Sequence, residues 1–174
     1  GLKEVLIFVS DGLTGLQDTL LEEFPKAKHQ ACWTHIARNV MNRVRARDKL
    51  EVGEDLRKIH QSGNFEQAQA MYEYFSKKWK PIYPKVITLL DRHDNLFTYL
   101  GFPKAIQRSL YTNNIIENFN KRVKKHTKVK EQFPNENAFD RCACTISLIY
   151  NEKFNSRIHK GFAQVQAELS EMFE

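Results

Sequence analysis

Val5-Leu6-Ile7-Phe8-Val9-Ser10-Asp11-Gly12 is the stretch on which the fold turns. It begins with an unbroken apolar run, rich in β-branched and aromatic side chains, and stops at a polar turn. Such a run predicts a strand buried on both faces, as in a parallel sheet. Asp11 then falls at the carboxyl end of that strand, where open α/β sheets carry their functional groups. A carboxylate there is costly unless it is solvated or bound to a cation. The plainer alternative is that Asp11 stabilises the turn or caps the helix that follows.

A strand buried on both faces needs a neighbour on each side. Elsewhere the chain offers one weak strand candidate, Ala27 to Trp33, and the remainder carries helical periodicity. Most of the sheet is therefore expected to lie outside these 174 residues, with Gly1 a boundary and not a natural start. A helix is predicted over 14–24, with Thr14 as cap, Leu16, Leu20 and Phe24 on one face, and Pro25 as stop. Another is predicted over 34–47, with Ile36, Val40 and Val44 together. Gly53 reads as a break, and Phe97 to Phe102 as a connection. Further helices are expected over 54–61, 65–78, 83–92, 113–125, 135–151 and 162–173. The fold class is α/β and mostly helical. A strand-bearing region over 1–50 leads into a helical block over 51–110 and then into helices over 111–174, all in one compact unit.

Hydrophobic residues make up 41% of the chain and charged ones 28%, enough apolar material for a core. No apolar run reaches membrane-spanning length, and the opening residues lack a secretory cleavage site, so a cytoplasmic protein without membrane contact is expected. Three cysteines, with Cys142 and Cys144 one residue apart, do not make a disulfide scaffold. The formal charge is +6, and it is clustered. Lys121 to Lys130 holds six Lys/Arg and no acid, and Arg38 to Lys49 holds five with one acid. Clustered basic charge suits a polyanionic partner, usually nucleic acid; a solvated basic face is the alternative.

The second carboxylate of interest is Glu117, in Tyr111-Thr112-Asn113-Asn114-Ile115-Ile116-Glu117-Asn118-Phe119-Asn120. Asparagine is a poor helix former, so several of them on an early helical turn point to polar contacts rather than helicity. Asn113 and Lys121 share the face of Glu117, and a Glu117–Lys121 surface pair is the plainer reading. Two carboxylates on separate elements beside a basic helix suit Mg²⁺ or Mn²⁺ next to nucleic-acid phosphates. A third carboxylate would be needed to hold two ions, and none stands out downstream of Asp11. Cys32-Trp33-Thr34-His35 is a C-x-x-H pair at a helix start. It reads either as half of a zinc site with Cys142 and Cys144 or as a buried Cys32 with His35 packed beside it. Trp33 reads as core, or as a platform for a flipped base.

Val9-Ser10-Asp11-Gly12-Leu13, then Phe24-Pro25, then Gln30-Ala31-Cys32-Trp33-Thr34-His35-Ile36-Ala37-Arg38-Asn39, and finally Tyr111 to Arg122 together resemble the Mutator-type family of bacterial DDE transposases. The resemblance covers nearly the whole chain. It implies a partial ribonuclease H-like fold with an all-α insertion. It implies that Asp11 and Glu117 are the second and third carboxylates of a DDE triad, holding two Mg²⁺ or Mn²⁺ ions. The first Asp belongs well upstream, on a strand these residues lack, so the isolated chain is expected to be inactive. Cys32 and His35 match the family's C-x-x-H motif near the active site. Arg38, Asn113, Asn114, Lys121, Arg122, Lys124 and Lys125 are expected to contact DNA. The implied activity is metal-dependent strand cleavage and strand transfer on double-stranded DNA, at element ends and target, by a homo-oligomer of the full-length protein. The rival reading is a non-catalytic, basic nucleic-acid-binding remnant of such an enzyme.

Overall fold

The apolar run does pair as a strand. The structure is a computed structural model that describes residues 2–13, 15–112, 114–130, 132–156 and 160–173. In it β1 (Ile7–Ser10) lies parallel to β2 (Lys28–Ala31), with Ile7 opposite Lys28 and Ser10 opposite Ala31. Parallel neighbours need a crossover, and here it is α1 (Leu16–Glu23). Phe24 leaves α1 with its ring 5.5 Å from that of Phe8. The weak second candidate is thus the partner strand. The expected burial on both faces is not found: Ile7, Phe8 and Val9 are half-buried, and Ser10 is the buried residue of β1. The sheet described has two strands, so β1 has one neighbour and the apolar run is only partly covered. Helix α1 opens from Gly15, whose φ of 80° a side-chained residue would resist; Thr14, the expected cap, lies outside the described residues.

Of the described residues, 67% are helical. The C-x-x-H segment opens α2 (Trp33–Met41), which stops short of the expected Arg47. A 3₁₀ turn over Ala46–Asp48 then leads into α3 (Lys49–His60), which runs straight through Gly53. The glycine does not break the helix because Val52, Leu56 and Ile59 bury one face of it. Each fully buried aliphatic side chain stabilises by about 1.5–3 kcal/mol, against about 1 kcal/mol for an interior glycine. Asn64 caps α4 (Phe65–Trp79) by accepting the Gln67 N–H at 2.8 Å, and Pro84 opens α5 (Pro84–Asp91). A 3₁₀ turn over Thr98–Gly101 lies in the region read as a connection, and α6 (Lys104–Leu110) follows it, where no helix was expected. Helix α6 escaped the periodicity because it is short; Ile106 and Leu110 are its buried residues.

Two compact units result, residues 1–113 with 167–174, and residues 114–166. The first is centred on Val40, Val52, Ile59, Phe75, Leu90, Tyr99 and Ile106, all at or below 1% exposure. Asp55 is buried in it, accepting hydrogen bonds from Lys58 (2.9 Å), Lys78 (2.6 Å) and Trp79 Nε1 (3.1 Å), and so ties α3 to α4. The second unit is built on α7 (Asn114–Lys128) and α8 (Glu136–Phe154), whose Asn135 cap accepts the Ala138 N–H at 2.9 Å. Phe119 and Tyr150 meet edge to face at 5.1 Å between them. The chain ends in α9 (Lys160–Gln164) and α10 (Gln166–Glu171), divided at Val165 where one helix over 162–173 was expected. Among the described residues, no helix is long and apolar enough to cross a membrane.

Candidate functional site

Asp11 is exposed at the carboxyl end of β1, followed by Gly12 at φ 86°. The residue before it is held from three sides. Ser10 O accepts the Cys32 N–H at 2.8 Å, extending the strand pairing to the mouth of α2. Ser10 Oγ lies 2.7 Å from His29 Nε2, and it also accepts the Gly12 N–H at 3.5 Å. On its other side the His29 ring meets the side-chain amide of Asn95, whose Nδ2–H donates to Nδ1. With Nδ1 an acceptor, the ring carries its proton on Nε2 and donates it to Ser10. Burial, and then the nearby His93, lower the pKa of His29 and keep it in that neutral form. His93 itself reaches Gly12: a β-carbon there would sit 3.7 Å from its Cε1.

The loop after α5 is pinned beside this corner by backbone groups. Asn95 O accepts the Ala31 N–H at 3.2 Å. Gln30 has no exposed surface; its Nε2 donates to Ala31 O at 2.7 Å and Leu96 O at 3.0 Å, and its Oε1 accepts the Tyr99 N–H at 2.9 Å. The Trp33 indole N–H also donates to Leu96 O, at 2.9 Å. Trp33 is therefore core, 3% exposed, and not a free platform for a base. None of these ties was foreseen: a buried glutamine has no periodic signature, and His29 fell inside a strand candidate with nothing to mark it.

Cys32 is buried, and its Sγ lies 3.3 Å from His35 Nδ1, so the C-x-x-H pair closes on itself at the start of α2. Trp33 N–H donates to Tyr111 O at 2.9 Å, and the hydroxyls of Thr34 and Thr112 are 3.1 Å apart. The second motif block, at Tyr111-Thr112, is thereby fastened to the first. Arg38 is exposed in the last turn of α2.

In the second unit, Glu117 is half-buried in the first turn of α7, where a carboxylate complements the helix N-terminus. Asn114 is exposed and opens the helix; Asn113 lies outside the described residues. Lys121, Lys124 and Lys125 are exposed. Arg122, also exposed, lines a groove of about 330 Å³ with His126 from α7, Lys130 just beyond it and Lys153 from α8. Its guanidinium is held 5.7 Å over the Tyr150 ring and 5.4 Å over that of Phe154.

Asp11 and Glu117 offer hard oxygen donors of the kind Mg²⁺ and Mn²⁺ prefer. Among the described residues no three or more His, Cys, Asp or Glu side chains converge as a cation site.

Comparison with known proteins bears on the same residues. A family model described as "Transposase, Mutator family" matches residues 1–156. The transposase for insertion sequence element IS905 of Lactococcus lactis is 40% identical over 174 residues, all of this chain and 44% of that protein. The transposase for IS1201 of Lactobacillus helveticus is 36% identical over 141 residues, 80% of this chain and 38% of that protein. A probable insertion-element transposase of Corynebacterium diphtheriae is 31% identical over 140 residues, 79% and 41% of the two chains. The chain thus spans less than half the length of these relatives.

Proposed function

The chain belongs to the Mutator family of transposases, and from that premise we propose that it forms part of the catalytic region of a metal-dependent DDE transposase acting on double-stranded DNA. The observation that carries the reading is the exposed carboxylate of Asp11 at the carboxyl end of a parallel strand, beside a C-x-x-H helix start. In this reading the β1–α1–β2 unit belongs to a ribonuclease H-like sheet, and α3 to α6 are an all-helical insertion within it. Asp11 and Glu117 act as cation ligands, and a third carboxylate comes from the part of the relatives that this chain does not span. Bound divalent ions, two in the complete enzyme, supply activation of an attacking hydroxyl and charge neutralisation at the scissile phosphate. Cys32 and His35 rigidify the helix start beside Asp11. Arg38, Asn113, Asn114, Lys121, Arg122, Lys124 and Lys125 hold the phosphate backbone, which positions DNA without reading its sequence. The active form is a homo-oligomer of the full-length protein.

The test uses the full-length transposase with a supercoiled plasmid carrying element ends. Asp11→Asn and Glu117→Gln are each expected to abolish Mg²⁺- and Mn²⁺-dependent nicking and strand transfer while element-end binding persists. Nicking at the wild-type rate by either variant sinks the catalytic reading and favours a basic nucleic-acid-binding module. The 174-residue chain by itself is expected to leave the plasmid intact, for want of a ligand.

A further inference from the structure

We infer that His29 is a positioning residue for Asp11, bridging Ser10 and Asn95 so that the exposed carboxylate is braced against the buried loop after α5. The inference rests on Asp11 being a cation ligand, as proposed above.

Asp11 stands on a turn with water around it. A carboxylate that must meet an ion and a phosphate in one geometry has to be held to within about 0.5 Å by groups that are themselves locked. Nothing in an exposed Ser-Asp-Gly turn does that unaided, and Gly12 at φ 86° makes the backbone there permissive. The structure puts one hydroxyl, Ser10 Oγ, in reach of both the His29 ring and the Gly12 N–H, so the two residues flanking Asp11 are tied through a single atom. His29 carries that tie inward. It is 9% exposed, and its other nitrogen meets Asn95. Asn95 sits on a loop fixed by Ala31 N–H at its own carbonyl and by Gln30 and Trp33 at Leu96. The chain Asp11 turn–Ser10–His29–Asn95 therefore ends on atoms buried among β2, α2 and the Leu96 loop.

The cost of the arrangement argues for a use. Asn95 Oδ1 is buried without a hydrogen-bond partner while the same amide serves His29. Polar networks that are dearer than an apolar alternative are retained where they specify a geometry.

The experiment compares Ser10→Ala, His29→Ala, His29→Gln, the Ser10/His29 double variant and Asp11→Asn in the full-length transposase. Readouts are kcat and KM for element-end DNA, thermal midpoint, and hydrogen exchange at the Gly12 amide. His29→Ala and Ser10→Ala are each expected to lower kcat by about ten- to a hundredfold, as for groups that orient a ligand. KM is expected to stay unchanged, and Gly12 exchange to quicken. The double variant is expected to lose no more than either single one, because both cut the same link. His29→Gln keeps a donor towards Ser10 and is expected to recover most of the rate. Wild-type kcat in both alanine variants, or additive losses in the double one, with Asp11→Asn inactive, overturns the brace and leaves the catalytic reading standing. An active Asp11→Asn overturns both. Should His29→Ala fail to fold, Ser10→Ala, which removes one oxygen, decides by the same criteria.

Discussion

Gln30 Nε2 donates to Leu96 O at 3.0 Å, a bond between strand β2 and the loop after α5 across 66 residues of sequence. It is one of three hydrogen bonds described for the side chain of a glutamine with no exposed surface. The same Leu96 carbonyl also accepts from the Trp33 indole at 2.9 Å. Through these contacts the helical block is joined to the strand that flanks Asp11.

Gln30→Ala is therefore expected to cost about 2–4 kcal/mol, because it strands the buried Tyr99 N–H and opens a cavity. For a chain of this size that lowers the thermal midpoint by about 5–15 °C. The effect of Trp33→Phe is expected to be smaller, about 1 kcal/mol, since Leu96 O keeps Gln30 as a donor. Thermal melts of the two variants check the order; equal losses would mean that the indole bond matters as much as the amide set.

Acid should destabilise the first unit in two stages. Burial lowers the pKa of His29, His60 and His93 below the ordinary histidine value of about 6.5. As pH falls past that value the unfolded chain takes up protons that the folded one refuses, so stability declines until the folded rings titrate. Asp55 comes later. Burial alone would raise its pKa, but hydrogen bonds from Lys78, Lys58 and Trp79 outweigh that and hold it below the usual carboxylate range. Its contribution is present above the unfolded carboxylate value of about 4 and is lost as pH falls through the folded one. Asp55→Ala is expected to cost about 2–3 kcal/mol at neutral pH, towards the low side for a buried pair because both lysines reach water. It should flatten the decline below about pH 4 while sparing the histidine stage. Urea midpoints between pH 8 and 3 separate the two stages; an unchanged acid limb in Asp55→Ala would refute the assignment.

The basic residues of α7 are expected to differ in their hold on DNA. Both Arg122 and Lys121 are exposed, but Arg122 is oriented by the Tyr150 and Phe154 rings, with Lys153 sharing its groove. A pre-oriented guanidinium loses less freedom on meeting a phosphate than a mobile lysine does. In the full-length protein, Arg122→Ala is expected to reduce the slope of log K against log salt by about one and to weaken all sequences alike. Lys121→Ala should change the slope by less. Anisotropy titrations across salt concentrations test the contrast, and equal slopes in the two variants would count against it.

The local instructions were legible in the chain itself. Val5 to Val9 specified a strand, Pro25 a stop, Asn135 a helix start, and the spacing of Ile36 and Val40 a buried face, because each depends on neighbours within a turn or two. The motif blocks around Asp11, Cys32 and Glu117 were legible for the same reason: their residues are close in sequence. What joins the first two blocks to the rest was not legible. Gln30 with Leu96, His29 with Asn95, and Thr34 with Thr112 pair across 66, 66 and 78 residues, and no periodicity marks the partners. Nor did composition reveal that Gly53 sits inside a helix, since burial of its neighbours overrides a propensity of about 1 kcal/mol. A pattern of residue types reports which local structure is cheapest. Which buried donor meets which acceptor is decided only when folding has excluded water and left each polar group the partners within its reach.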